Sequence, residues 1–141
     1  MLQGVSHRPA ARILMAVCAA LLIISMVGGL SSKPASAATK ATLDQYRAWM
    51  ADAKAKYPYP QSLDKMWRVM MCESGGNASA SGGGGRWLGL YQYAPGTWRG
   101  SWNPYRTSSI WDAKSQIYAT AKAWSVGMQS HWSCYYITSG R

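Results

Sequence analysis

Proline and glycine divide this chain so sharply that only short helices are open to it. Tyr57-Pro58-Tyr59-Pro60 closes one apolar-periodic stretch, Gly75-Gly76 closes a second and Gly127 a third. Proline cannot continue a helix and restricts the residue before it, while glycine adopts the left-handed conformation that ends one. The spacing predicts a helix over 43–56, capped by Thr42, with Leu43, Tyr46, Met50 and Ala53 on one face. Ser62 starts a second helix from Leu63 to Ser74, on which Met66, Val69, Met70 and Glu73 share a stripe at i, i+3, i+4, i+7 spacing. Residues 75–86 form a glycine-rich loop, in which the run of four glycines from Gly82 to Gly85 is expected to be flexible. Leu88 to Tyr93 reads as a short extended segment, and Pro95-Gly96-Thr97-Trp98 as the opening of another helix. Ser109 is expected to cap a long helix from Ile110 to Val126, with Asp112 in its first turn. Its buried side is expected to carry Ile110, Lys114, Ile117, Ala121 and Trp124. A last helical stretch then holds His131, Trp132 and Cys134. The expected fold class is a mainly α, single small domain with a minor extended or β segment.

The first 37 of the 141 residues read as a secretory signal. Arg8 and Arg12 precede an apolar run from Ile13 to Leu30, and Ala35-Ser36-Ala37 fits the small-x-small cleavage rule. Cleavage is expected after Ala37; the alternative is a retained anchor, since the apolar run comes close to bilayer length. On the first reading the protein is secreted to the cell wall, and it meets a membrane only through an uncleaved signal segment. Cleavage removes Cys18 and leaves Cys72 and Cys134, which in an oxidising compartment most simply form one disulfide. That bridge ties the C-terminal tail to the residue directly before Glu73. The remaining 104 residues suffice for one domain with a modest core.

They keep 12 of the 15 Lys and Arg residues against all five acids, a formal charge of +7. Such an excess favours polyanions. The basic residues are scattered singly, unlike a nucleic-acid-binding arm, so no nucleic-acid partner is expected. All eight tryptophans and nine tyrosines follow the signal, and phenylalanine is absent. Rings with a flat apolar face and a polar edge suit a hydroxylated ligand as well as a core.

Glu73 is the only glutamate in the chain. It extends an apolar helical stripe and is followed at once by Ser74, two glycines and Asn77. A carboxyl at the mouth of an apolar helix, beside a loop able to approach a ligand closely, is how a general acid is made. Desolvation raises its pKa, so it holds a proton near neutral pH for delivery to a leaving group. No metal site is expected, because ligands are lacking, and no cofactor motif is present; no lysine-serine pair follows the glycines as a nucleotide cradle requires.

Three segments taken together resemble a known family: Cys72-Glu73-Ser74-Gly75-Gly76-Asn77, Gly89-Leu90-Tyr91-Gln92-Tyr93 and Thr97-Trp98, with Trp132-Ser133-Cys134 as the ending. They resemble the lysozyme-like lytic transglycosylases, most closely the transglycosylase-like domain of the actinobacterial resuscitation-promoting factors. The resemblance covers about residues 62–135. It departs from the resuscitation-factor pattern in the glycine-rich loop after Asn77, in Tyr91, placed as in the soluble transglycosylases, and in the extra stretch Trp102-Asn103-Pro104-Tyr105. It implies an α+β lysozyme-like fold over 61–141, preceded by a helix and proline-containing connection over 38–60.

The resemblance also implies an activity, cleavage of the β-1,4 bond between N-acetylmuramic acid and N-acetylglucosamine, with Glu73 as general acid and base. Peptidoglycan glycan strands are then the partner, together with a possible second cell-wall hydrolase. By motif position Ser74 and Gln92 orient the glutamate or bind sugar, Tyr91 and Tyr93 line the cleft, and Thr97 and Trp98 support its floor. Asn77 is a turn residue or a ligand for the acetamido group, and Trp87, beside the glycine loop, is a stacking platform or a loop anchor. Each ring has an ordinary core role as its alternative.

Two other classes compete. A thiol peptidase would use Cys72 with His131 and needs Cys72 free. A non-catalytic glycan-binding or signalling module of the same fold would keep the cleft without the chemistry.

Overall fold

The computed structural model describes residues 38–139. The expected signal over 1–37 therefore lies outside the described residues. Helix α1 (Lys40–Lys56) begins three residues before the expected start: the Thr39 hydroxyl, and not that of Thr42, accepts the Thr42 N–H at 3.2 Å and so caps the helix. Its buried face is Tyr46, Met50 and Ala53, with Leu43 half-buried. Helix α2 (Leu63–Ser74) has the predicted limits. Ser62 Oγ accepts the Lys65 N–H at 3.1 Å, and Gly75, at φ +62°, closes it by donating to the Met71 carbonyl. Met66, Val69 and Met70 are fully buried, and each such side chain contributes on the order of 1.5–3 kcal/mol of burial.

A two-stranded antiparallel hairpin follows, β1 (Ser81–Gly82) pairing with β2 (Trp87–Leu88) so that Gly82 opposes Trp87. The glycine run is its turn. Gly83, Gly84 and Gly85 all take positive φ, a succession that residues with a Cβ resist. The segment Leu88–Tyr93 is not extended throughout, as the sequence reading had it. Leu88 and Tyr93 exchange backbone hydrogen bonds at 3.0 and 2.9 Å, so residues 89–92 double back and drop Leu90 and Tyr91 into the core.

After the single turn α3 (Pro95–Trp98), helix α4 runs from Ala113 to Ser125, three residues later than expected. Ser109 does not cap it. Its hydroxyl closes a tighter turn onto the Trp111 N–H, while Asp112 Oδ1 accepts the Ser115 N–H at 2.8 Å and takes the cap. The buried stripe is Gln116, Ile117, Thr120, Ala121 and Trp124; Lys114, placed on that side by spacing, lies in the first turn and is exposed. Its ammonium stays in water, where its solvation is kept.

A 3₁₀ turn (Met128–His131) and α5 (Ser133–Ile137) complete the described chain. The core lies where α1 packs on α4 and α2, and α2 in turn packs on α5. The Cys72–Cys134 disulfide joins α2 to α5 across a sequence separation of 62. Beside it, Lys65 Nζ donates to the Tyr135 carbonyl and to the hydroxyls of Thr138 and Ser139, fastening the same tail. The fold is thus mostly helical, one small domain with a two-stranded sheet and one disulfide. Among the described residues no helix is long and apolar enough to cross a membrane.

Candidate active site

Glu73 ends the apolar stripe of α2 and is half-buried at the edge of a cleft of about 550 Å³. The walls come from four parts of the chain: Glu73 from α2, Trp87 from β2, Gln92, Tyr93, Ala94 and Thr97 from the turn into α3, and Met128, His131, Trp132 and Ser133 from the C-terminal region. Burial pushes the Glu73 carboxyl above the usual carboxylate range. The Cys134 N–H, which donates to Oε1 at 3.4 Å, opposes that rise only in part. The long hydrogen bond is a direct product of the disulfide, which holds the first turn of α5 against the end of α2. A carboxyl in this setting keeps its proton to higher pH than an exposed one and is poised to give it up.

Among the described residues no second carboxylate lines the cleft. Asp44 pairs with Lys40 and Asp64 with Arg68, each one helical turn apart on its own helix. Asp112 is the cap of α4, and Asp52 is exposed on α1. Asp64 is also nine residues before Glu73 on α2, about 13 Å along the axis. No group of three or more metal-ligating side chains occurs among the described residues.

The motif residues divide into those that face the cleft and those that hold it up. Gln92 does both. It is the one non-glycine among the described residues with positive φ (49°), and its side-chain amide donates to the Gly89 carbonyl at 2.8 Å. The left-handed backbone there is a local cost met by the surrounding bonds. Gly89 itself has φ +79°, and a Cβ on it would run into the Gln116 carboxamide, so the first glycine of Gly-Leu-Tyr-Gln is required by both conformation and space. Tyr93 shows only an edge to the cleft, its hydroxyl bonded to Thr120 at 2.8 Å and its ring packed on Trp98, Trp102 and Trp132. Thr97 is exposed on the cleft wall. Trp87, 46 % exposed, presents an open ring on the cleft wall.

Four motif residues do not line the cleft, and for Ser74, Asn77 and Trp98 the structural alternative that the sequence also offered is the one seen. Tyr91 is fully buried and does not line the cleft, because the doubling back of 89–92 turns its ring inward. Its hydroxyl has no partner, and its carbonyl accepts the Trp132 indole N–H at 2.8 Å. Trp98 is a core ring whose indole N–H is held by the Ser108 carbonyl, supporting Tyr93 from below. Ser74 donates to the Met70 carbonyl and accepts the Gly76 N–H, the bonds of a helix end. Asn77 Oδ1 accepts the Ser79 N–H at 2.9 Å, a turn closure. None of these four lines the cleft.

Sequence reasoning missed Ala94, Met128, His131 and Ser133 as cleft residues and treated Trp132 only as part of the ending motif. A signal was available. Once Cys134 is paired with Cys72, the residues just before it must lie beside Glu73. The pairing also disposes of the thiol peptidase, since Cys72 is bonded to Cys134 and offers no nucleophile. Comparison with family models, with curated proteins and with solved structures returns no match.

Proposed function

We propose that this protein is a peptidoglycan-cleaving enzyme of the lysozyme-like kind, a lytic transglycosylase exported to the cell wall, with Glu73 as its general acid and base. The observation that carries the reading is the solitary, half-buried Glu73 carboxyl in the large cleft, held above its usual pKa range by burial. Two-carboxylate glycosidases place a second acid about 5–10 Å from the first. Here Glu73 is the one carboxylate among the described residues that line the cleft, which favours a mechanism that returns to one group.

In that mechanism Glu73 gives its proton to the glycosidic oxygen as the bond from C1 of N-acetylmuramic acid breaks. The 2-acetamido group steadies the cation-like carbon. The Glu73 carboxylate then takes the proton of the 6-hydroxyl as O6 bonds to C1. The product is a 1,6-anhydro ring, and Glu73 recovers its proton. Trp87 provides a flat face for a sugar at the mouth of the cleft, and Gln92 and Thr97 provide polar groups along its wall.

Mass spectrometry of muropeptides released from purified peptidoglycan tests this, with Glu73→Gln in parallel. Ends lighter by one water than hydrolysed ends, absent with the variant, are the expected result. Hydrated ends would convert the assignment to a muramidase. Release by neither protein, with the disulfide intact, would overturn the enzyme reading and leave a glycan-binding or signalling module.

A further inference from the structure

A second depression, of about 270 Å³, lies between the end of α1, the chain around Tyr105 and the start of α4. It is lined by Lys56, Tyr105, Lys114, Ser115 and Tyr118 and shares no residue with the cleft. Lys56 Nζ donates to the Tyr105 hydroxyl at 3.3 Å and stands 5.4–5.9 Å from the ring centres of Tyr57, Tyr105 and Tyr118. Lys114 Nζ lies 5.8 Å from the centre of Tyr118, and Lys122 Nζ 5.9 Å from that of Tyr57.

Three ammonium groups therefore gather around one tyrosine cluster. Among the described residues none of them has a carboxylate within 4 Å. Asp52, one turn before Lys56, is exposed and unpaired with it, and Asp112, whose Oδ1 accepts the Ser115 N–H, makes no ion pair with Lys114. No ion pair neutralises these lysines, and each has donors to spare.

We propose that this pocket binds the phosphate groups of an anionic sugar- or polyol-phosphate polymer, the choice of a wall polymer resting on the wall-directed reading above. Phosphate presents several acceptor oxygens, which suit the rotatable point charges of lysines as well as a planar guanidinium fork. The Tyr105 and Tyr118 rings offer apolar surface to the carbons between phosphates. Single-stranded nucleic acid is the lesser fit, because successive bases need ring faces that run alongside one another. Here Tyr57 and Tyr105 meet at 88°, and Tyr105 and Tyr118 at 66°. The pocket thus gives the enzyme a hold on the wall separate from its glycan cleft.

Binding of poly(glycerol phosphate) to the purified protein at fixed salt tests the proposal. Lys56→Glu/Lys114→Glu is compared with Lys40→Glu/Arg99→Glu, which changes net charge equally at sites away from the pocket. The first pair is expected to weaken binding about tenfold or more, and the second far less. Lys56→Ala/Lys114→Ala gives the same direction should charge reversal impair folding. No binding by the wild type, equal weakening in both pairs, or tighter binding to poly-L-glutamate or oligo(dT) at equal charge concentration would each overturn it. Cleavage of glycan strands stripped of phosphate polymers is read alongside. Cleavage retained while polymer binding is lost supports a separate pocket, whereas polymer binding without any cleavage supports the pocket and counts only against the enzyme reading.

Discussion

Cutting the Cys72–Cys134 bridge is the perturbation whose cost follows most directly from the structure. The bond closes a loop with a sequence separation of 62. In the chain-entropy model, releasing such a loop frees the unfolded chain by about 4 kcal/mol. For a domain of about 100 residues that corresponds to a fall in Tm of roughly 15–20 °C. Total stabilities are on the order of 5–15 kcal/mol, so the opened protein sits close to its unfolding threshold at moderate temperature. The assay is guanidinium unfolding followed by tryptophan fluorescence, for the wild type, the reduced wild type and Cys72→Ala/Cys134→Ala. Reduction changes no side-chain volume and isolates the loop effect from the small loss of packing at Cys134, which is buried. Both treatments are expected to cost about the same and to steepen the denaturant slope, since an unbridged chain exposes more surface. A loss below about 1 kcal/mol with an unchanged slope would refute the reasoning. The tail would then be held by the Lys65 hydrogen bonds to Tyr135, Thr138 and Ser139, with the bridge contributing little.

Burial raises the Glu73 pKa, so the native state keeps a proton that the unfolded chain releases as pH climbs through the usual carboxylate range. The stability linked to that proton is complete below the unfolded pKa and is lost as pH rises through the folded one. Glu73→Gln is therefore expected to match the wild type in Tm near pH 4 and exceed it at pH 7, while losing about 10²–10⁴-fold in cleavage rate; a variant less stable at pH 7 would contradict the sign. Gly89→Ala is expected to cost about 2–5 kcal/mol in urea unfolding, from left-handed strain plus collision with buried Gln116, and a cost under about 1 kcal/mol would refute it. Trp87→Ala should cost about 1–2 kcal/mol in stability, because about half of the residue is already exposed, yet weaken binding of N-acetylglucosamine oligomers by calorimetry; unchanged affinity would remove Trp87 from the sugar path.

What the sequence determined alone is what neighbouring residues decide among themselves. The limits of α2 follow from Ser62 and Gly75, whose bonds reach no further than four residues along the chain. The place of Glu73 at the end of the Met66–Val69–Met70 stripe is a matter of helical period, and the disulfide between Cys72 and Cys134 one of counting.

Where two capping residues stood three positions apart, the local rules did not choose. Thr39 prevailed over Thr42, and Asp112 over Ser109, because caps differ by only about 1 kcal/mol and the surrounding chain tips the balance. Tertiary structure alone decided which aromatic rings meet the cleft. Tyr91 went to the core when residues 89–92 folded back, and Trp98 became the support beneath Tyr93.

Ser133, unremarkable in the sequence, and His131, weighed there only as the partner of a thiol, became cleft walls because a covalent bridge returns the tail to Glu73. Among the described residues, the backbone donor on the carboxyl lies 61 residues away along the chain. So does the burial that raises its pKa depend on distant segments. Helix ends and periodic faces are local in their causes; the environment of a reactive group is made by whatever the folded chain packs around it.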